Sequence, residues 1–320
     1  MNNSIQNNDF PPPLSKPVVA SFSQNSRFAT AGQFVTVVLI WSLTPLAAVW
    51  TVHDIHWAWG LLIRFSLAIP IALACQVYFK IRIPLHPQAL LSYAAGALGL
   101  FASMAFCYMG ASKVPSTVIS IIYGISPFIS GLIAIYIFRS EQFSAYQWLG
   151  LIMGMLGMYF SLALNAQNLL LNQLGIALEI MAMLLYVFSA FAVRAVAANI
   201  HPLSQMTGAT IMSWLGYCGL LPFFWSEMPD ELPSLQAYIA LVYSAVFSSV
   251  LAMIFYYQLL NKVSPTTLML ITIITPVLAT LWGTWLNHET LSSHFILGLL
   301  LLCSGLALYS LKRRSKLSIE

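Results

Sequence analysis

The chain has 320 residues, 59% of them hydrophobic and only 7% charged, with a formal net charge of +4. Soluble globular proteins carry about 25% charged residues, so this composition excludes water as the main solvent and points to a lipid bilayer as the chain's partner. The small basic excess does not call for nucleic acid, because the positions of the basic residues account for it.

Residues 1–30 are rich in Asn, Ser, Gln and Pro, include Pro11-Pro12-Pro13, and cannot bury a core. A disordered cytoplasmic tail is expected there. The apolar run that follows is too long for a signal peptide and precedes no small-residue cleavage pattern, so it is expected to stay as the first helix. A helix needs about 20 apolar residues to cross hydrocarbon, where its backbone groups must be satisfied internally. Ten runs qualify, at 32–51, 57–79, 88–111, 115–138, 146–164, 173–195, 204–225, 236–260, 264–286 and 292–311. The expected fold class is an all-α integral membrane protein with ten transmembrane helices and short connections.

Placing the N-terminus inside puts Lys16, Arg27, Lys80, Arg82, Arg139, Arg194, Lys262, Lys312, Arg313, Arg314 and Lys316 in cytoplasmic segments, and only Lys113 falls outside. The opposite connection between spans 7 and 8 carries Glu227, Asp230 and Glu231. This asymmetry follows the positive-inside rule and makes both termini cytoplasmic. Trp50, Trp57, Trp59, Trp148, Trp225 and Trp285 fall near span ends, as an interfacial aromatic belt requires.

The stretch beginning Lys113-Val-Pro-Ser-Thr returns 149 positions later as Lys262-Val-Ser-Pro-Thr. At that offset Tyr108 matches Tyr257, Thr117 matches Thr266, Ile125 matches Ile274 and Pro127 matches Pro276. After a one-residue gap, Glu141, Ser144, Gly150 and Gly157 match Glu289, Ser292, Gly298 and Gly305. Five crossings separate the copies, and an odd number turns the second half upside down. Two inverted five-helix repeats are therefore expected at 31–164 and 173–311, followed by a basic cytoplasmic tail at 312–320. Inverted repeats are a transporter signature, because the pseudo-twofold gives two mirror-related access states around one midplane site for a small-molecule substrate.

Prolines fall inside several spans: Pro45, Pro70, Pro127, Pro222 and Pro276. Each removes one helical hydrogen bond, so Pro127 frees the Tyr123 carbonyl and Pro276 that of Thr272. Substrate-cavity residues are expected around this matched pair of kinks and in spans 1 and 6: Trp41, Thr44, Ser103, Tyr108, Tyr123, Tyr186, Tyr257 and Thr272. Ser42, Ser126, Ser189 and Thr275 lie nearby. Aromatic walls with a few hydroxyls suit a small amphipathic solute, although helical hydroxyls also bond their own backbone.

Two charges sit within spans, Arg64 and Glu179. Both are about 10 Å deep at 1.5 Å per residue, so an ion pair is geometrically open to them. Glu179 is the only carboxylate placed to carry a coupling proton. Glu141 and Glu289 read as interfacial caps, Ser144 to Gln147 as a capping box, and Gly150, Gly154 and Gly157 as a helix-packing face. Cys75, Cys107, Cys218 and Cys303 read as core residues. All six histidines lie in or beside loops, and no catalytic constellation, metal site, phosphate-binding loop or cofactor motif is present, which argues against an enzyme or a primary pump.

Together these features resemble the drug/metabolite transporter superfamily, and within it the EamA type with two repeats. The resemblance covers residues 31–311. It rests on Glu141-Gln-Phe-Ser with Gly150 and Gly157, on Glu289-Thr-Leu-Ser with Gly298 and Gly305, and on Arg64-Phe65 followed by Ala68. Departures are Trp41-Ser42 where the family often has Trp-Gly, and Ser140 and His288 before the two glutamates. The resemblance implies an inner (plasma) membrane basket of ten helices around a central cavity, exporting or exchanging metabolites, amino acids or drugs. A non-transporting sensor or assembly protein is the alternative from another class.

Overall fold

The computed structural model describes residues 24–137, 144–163 and 169–311, and among them the chain is helical with no strand. Seven helical stretches are long and apolar enough to cross a membrane: Phe28–Asp54, Trp57–Tyr78, Pro87–Ala111, Ser116–Tyr136, Gln173–Val196, Leu235–Lys262 and Pro265–Asn287. The other three apolar runs fold as helices of 19 residues each, α7 (Ala145–Ala163), α9 (Pro202–Leu220) and α14 (Ser293–Leu311). Helix α9 is the least apolar of them for a local reason. Its Ser204, Gln205, Thr207, Thr210 and Ser213 are all buried. Thr207, Thr210 and Ser213 donate to their own i−4 carbonyls at 2.7–2.8 Å, while Gln205 exchanges hydrogen bonds with Ser92.

Helix α1 (Gln24–Asp54) begins before the first apolar run, inside the segment expected as tail, and α2 (Trp57–Tyr78) follows after a two-residue turn. Pro45 and Pro70 are accommodated within these two helices. Pro222 behaves differently from expectation. Helix α9 stops at Leu220 and Pro222 sits in a 3-10 turn at Leu221–Phe223, because a proline nitrogen cannot donate to a continuing helix. Residues 1–23, the basic tail at 312–320 and the motif residue Glu141 lie outside the described residues.

The third apolar run is α3 (Pro87–Ala97) and α4 (Ser103–Ala111), joined by a π-helical turn at Leu98–Ala102. The eighth repeats the arrangement, with α10 (Leu235–Tyr243), a π-helical segment at Ser244–Leu251 and α11 (Ala252–Lys262). The fourth and ninth are broken. Helix α5 (Ser116–Gly124) gives way at Ile125 to α6 (Ser126–Tyr136). Helix α12 (Pro265–Leu268) passes through a 3-10 segment, Met269–Ile273, to α13 (Thr275–Asn287). Pro127 and Pro276 occupy the first turns of α6 and α13, where a missing N–H costs least.

Helices α7 and α14 form the closest pair in the molecule. A Cβ on Gly150 would lie 2.5 Å from the Gly305 carbonyl, and one on Gly157 would lie 2.5 Å from Leu302 N and 2.6 Å from the Gly298 carbonyl. Gly150 meets Gly305 while Gly157 meets Gly298, so the two helices run antiparallel with their backbones touching. Helix α7 starts on the expected capping box: Ser144 N–H donates to Gln147 Oε1 at 2.9 Å, and Gln147 N–H returns to Ser144 Oγ at 3.4 Å. Ile121, Phe128, Leu151, Leu302 and Leu306 form a small core between this pair and the broken fourth span. A larger core packs helices α1, α2, α4, α8 (Leu169–Val196), α9 and α11 together.

Gly157→Ala is expected to destabilise the protein by about 1–3 kcal/mol through overpacking against rigid backbone. Gly219→Ala meets nothing within 4 Å and should instead gain about 0.5–1 kcal/mol from helix propensity. Thermal melts of the two purified variants should move in opposite directions.

Candidate functional site

A cavity of about 100 Å³ lies between α1, α4, α5, α8 and α11. Its walls follow the repeat. Gly99 and Ser248, Met104 and Met253, Cys107 and Tyr256, Tyr108 and Tyr257, and Tyr123 and Thr272 all line it. Every one of these pairs is separated by the same 149 positions. Gly99 and Ser248 belong to the two π-helical segments, where a widened turn disturbs the regular ladder and exposes backbone. Tyr123 and Thr272 belong to the two breaks.

Local chemistry closes each break. The Ile125 N–H reaches back to the Ile122 carbonyl at 3.2 Å, and Phe128 N–H starts α6 by bonding the Ile125 carbonyl at 2.9 Å. Opposite, the Thr272 and Thr275 hydroxyls donate to the Met269 and Ile271 carbonyls at 2.7 and 2.9 Å. The breaks touch through Ser126 Oγ and Thr272 Oγ1, 3.0 Å apart. A Cβ on Gly124 would lie 2.9 Å from Pro276 Cγ.

Seven of the eight residues expected at the cavity line it: Trp41, Thr44, Tyr108, Tyr123, Tyr186, Tyr257 and Thr272. Ser103 does not; its hydroxyl donates to the Ala182 carbonyl at 2.8 Å and ties α4 to α8. Ser189 and Thr275 reach the wall, whereas Ser42 accepts from Trp282 Nε1 at 3.0 Å away from it. Tyr256, Ser248, Met104 and Met253 were missed, although the offset applied to neighbouring residues points to them. One wall is an aromatic cluster. Trp41 stands edge-on to Tyr186 at 5.9 Å and tilted to Tyr256 at 5.2 Å, and Tyr123 lies 5.9 Å from Tyr186. The Tyr123 and Tyr186 hydroxyls are buried with no hydrogen-bond partner among the described residues.

Arg64 and Glu179 do not pair; among the described residues the one contact of salt-bridge length joins His53 Nδ1 to Asp54 Oδ1 at 2.7 Å. Arg64 is 1% exposed and lines the cavity. Its Nε donates to Ser249 Oγ at 2.8 Å and its Nη1 to the Tyr108 hydroxyl at 2.9 Å. Glu179 is fully buried in α8, against α4, with neither carboxylate oxygen hydrogen-bonded. A Cβ on Gly110 would lie 2.5 Å from Glu179 Oε1, so a larger residue at 110 would have to displace this carboxylate. No group of three His, Cys, Asp or Glu able to hold a metal exists among the described residues.

Glu289 caps a helix of the other half of the chain. Its carboxylate accepts from Ser116 N–H and Oγ–H at 3.1 and 2.7 Å, from Thr117 N–H at 3.2 Å and from Asn287 Nδ2 at 3.1 Å. The N-terminus of α5 thus has its free amides and its dipole answered by one anion.

An all-helical bundle with spanning helices, two of them broken beside a largely apolar cavity, defines a multi-pass membrane protein of the transporter class. The chain belongs to the EamA-like transporter family, whose model matches residues 31–163 and 173–311. It is similar to a Bacillus subtilis (strain 168) protein named uncharacterized transporter YoaV, at 24% identity over 85% of this chain and 93% of that one. It is also similar to the Escherichia coli (strain K12) protein named uncharacterized inner membrane transporter YedA, at 30% identity over 46% of each chain. A solved structure described only as a crystal structure of a protein shares the fold. Its TM-score is 0.67 at 17% identity, covering 90% of this chain and 99% of that one.

Glu289→Ala should cost about 1–2 kcal/mol, the usual loss for a helix N-cap, read as a lower melting temperature. Glu289→Gln should recover only part of it, because an amide brings fewer acceptors to the same donors.

Proposed function

We propose that this transporter works as a secondary carrier, with ten helices arranged as two inverted five-helix repeats in the inner (plasma) membrane and both termini cytoplasmic. It exports a small metabolite or amino acid by alternating access. The observation that carries this reading is the cavity wall, built from five residue pairs at one constant spacing. A site composed of equivalent positions from two oppositely directed halves presents the same kind of wall to either side of the membrane. Trp41, Thr44, Tyr108, Tyr123, Tyr186, Tyr257 and Thr272 hold the solute, and the kinks at Pro127 and Pro276 place the breaks beside it. A multidrug efflux carrier is the second reading. The cavity wall carries no acidic side chain to hold a lipophilic cation, which favours the metabolite.

The test is efflux of pooled, labelled amino acids and small metabolites from inverted vesicles or loaded cells. The double variant Tyr123→Ala/Thr272→Ala, checked for a normal melt, should lose roughly tenfold or more of a selective flux. No flux of any pool member together with raised drug resistance on expression would favour the multidrug reading, and neither signal would favour a sensor.

Glu179 is the coupling residue in this reading, since an unpaired buried carboxylate is costly while ionised. Glu179→Gln should flatten the pH dependence of flux, and a variant that keeps the wild-type pH profile would remove Glu179 from the coupling.

A further inference from the structure

We infer that the cavity selects an amphipathic solute bearing one carboxylate, with the Arg64 guanidinium as its anchor. The inference deepens the carrier reading above and rests on it.

Arg64 is a cation without an anion. Its hydrogen-bond partners among the described residues are neutral: Ser249 Oγ at Nε, with the Tyr108 hydroxyl and the distant Met104 Sδ at Nη1. The Phe65 and Tyr108 rings lie 5.8 and 5.9 Å from the guanidinium carbon. A guanidinium offers five N–H donors in a planar fork, and no described residue engages Nη2. No Asp or Glu lines the cavity, and Glu179 lies against Gly110 outside the lining. Buried charges are ordinarily paired, because an isolated one at low dielectric is costly. Here the cation lines the cavity, so the compensating charge arrives with the ligand.

The rest of the wall fits the remainder of such a molecule. Trp41, Tyr186 and Tyr256 form an aromatic face for an apolar body. Tyr123 extends the same wall with its ring, its hydroxyl buried. A ligand amine would meet Arg64 as a like charge with no carboxylate to offset it. A planar carboxylate matches the guanidinium fork better than it matches a point charge.

The test compares three probes of one shape and different charge, phenylacetate, phenylacetamide and 2-phenylethylamine, binding to the full chain in nanodiscs. Ligand-induced stabilisation against concentration gives the affinities. Phenylacetate is expected to bind about tenfold more tightly than the amide, with the amine weakest. Arg64→Gln should abolish the ranking, and Arg64→Lys should keep its order with a smaller ratio. The wild-type ranking stands as a test even where a variant does not fold. Equal binding of acid and amide, preference for the amine, or no binding of any probe would overturn the assignment. The pooled efflux assay reads the carrier separately: selective flux of neutral or cationic solutes would sink the anion anchor and leave the carrier intact.

Discussion

Every backbone N–H and C=O inside hydrocarbon needs a partner from the protein itself, and the rest of this structure depends on how that demand is met. Unbroken helices meet it automatically. Broken or widened ones do so only where side chains or a cavity take over. Among the described residues the spanning stretches depart from regular α-helix in four places, the π-helical turns at Leu98–Ala102 and Ser244–Leu251 and the breaks at Ile125 and Met269–Ile273. At each break a threonine hydroxyl or a shortened turn takes up a loosened carbonyl. Each of the four departures has a residue at or beside it on the cavity wall. Irregular backbone and binding space are thus one feature, since each is tolerated only because of the other.

The two buried charges illustrate different ways of living without an ion pair. Arg64 donates to the lone pairs of two neutral acceptors, Tyr108 from its own half of the chain and Ser249 from the other, and lies near the Phe65 and Tyr108 rings. Glu179 meets no strict hydrogen-bond partner among the described residues; it lies beside the Cys107 thiol and is packed against a glycine. The arginine is held in one orientation by its partners, whereas the carboxylate is held mainly by packing.

Much of the site was legible in sequence because a repeat carries more information than a motif. One offset located both kinks, matched Tyr108 to Tyr257, and points to Met253 and Tyr256 once Met104 and Cys107 are placed. Composition alone misassigned Ser103, whose hydroxyl looks the same in a sequence whether it faces a cavity or a neighbouring carbonyl. Depth alone also left Arg64 and Glu179 open to pairing, because equal depth says nothing about azimuth on two separate helices. Apolar length located α9, but Pro222 set its end two residues before the ring, where sequence placed the proline inside the span. Polar residues on α9 were invisible as structural elements for the converse reason. Gln205 accepts from Ser92 and Thr207 accepts from Gln76, and such pairings are defined only by tertiary proximity.

The seam between α7 and α14 has a mechanical consequence. With the glycines of each helix set against backbone carbonyls and amides of the other along its length, neither helix can slip or roll past the other without backbone collision. The pair therefore travels as a single strut, and flexing of the molecule is left to segments whose hydrogen-bond ladders are already interrupted. Those are the hinges that ring the central space, so stiffness at the periphery concentrates compliance where a solute would sit.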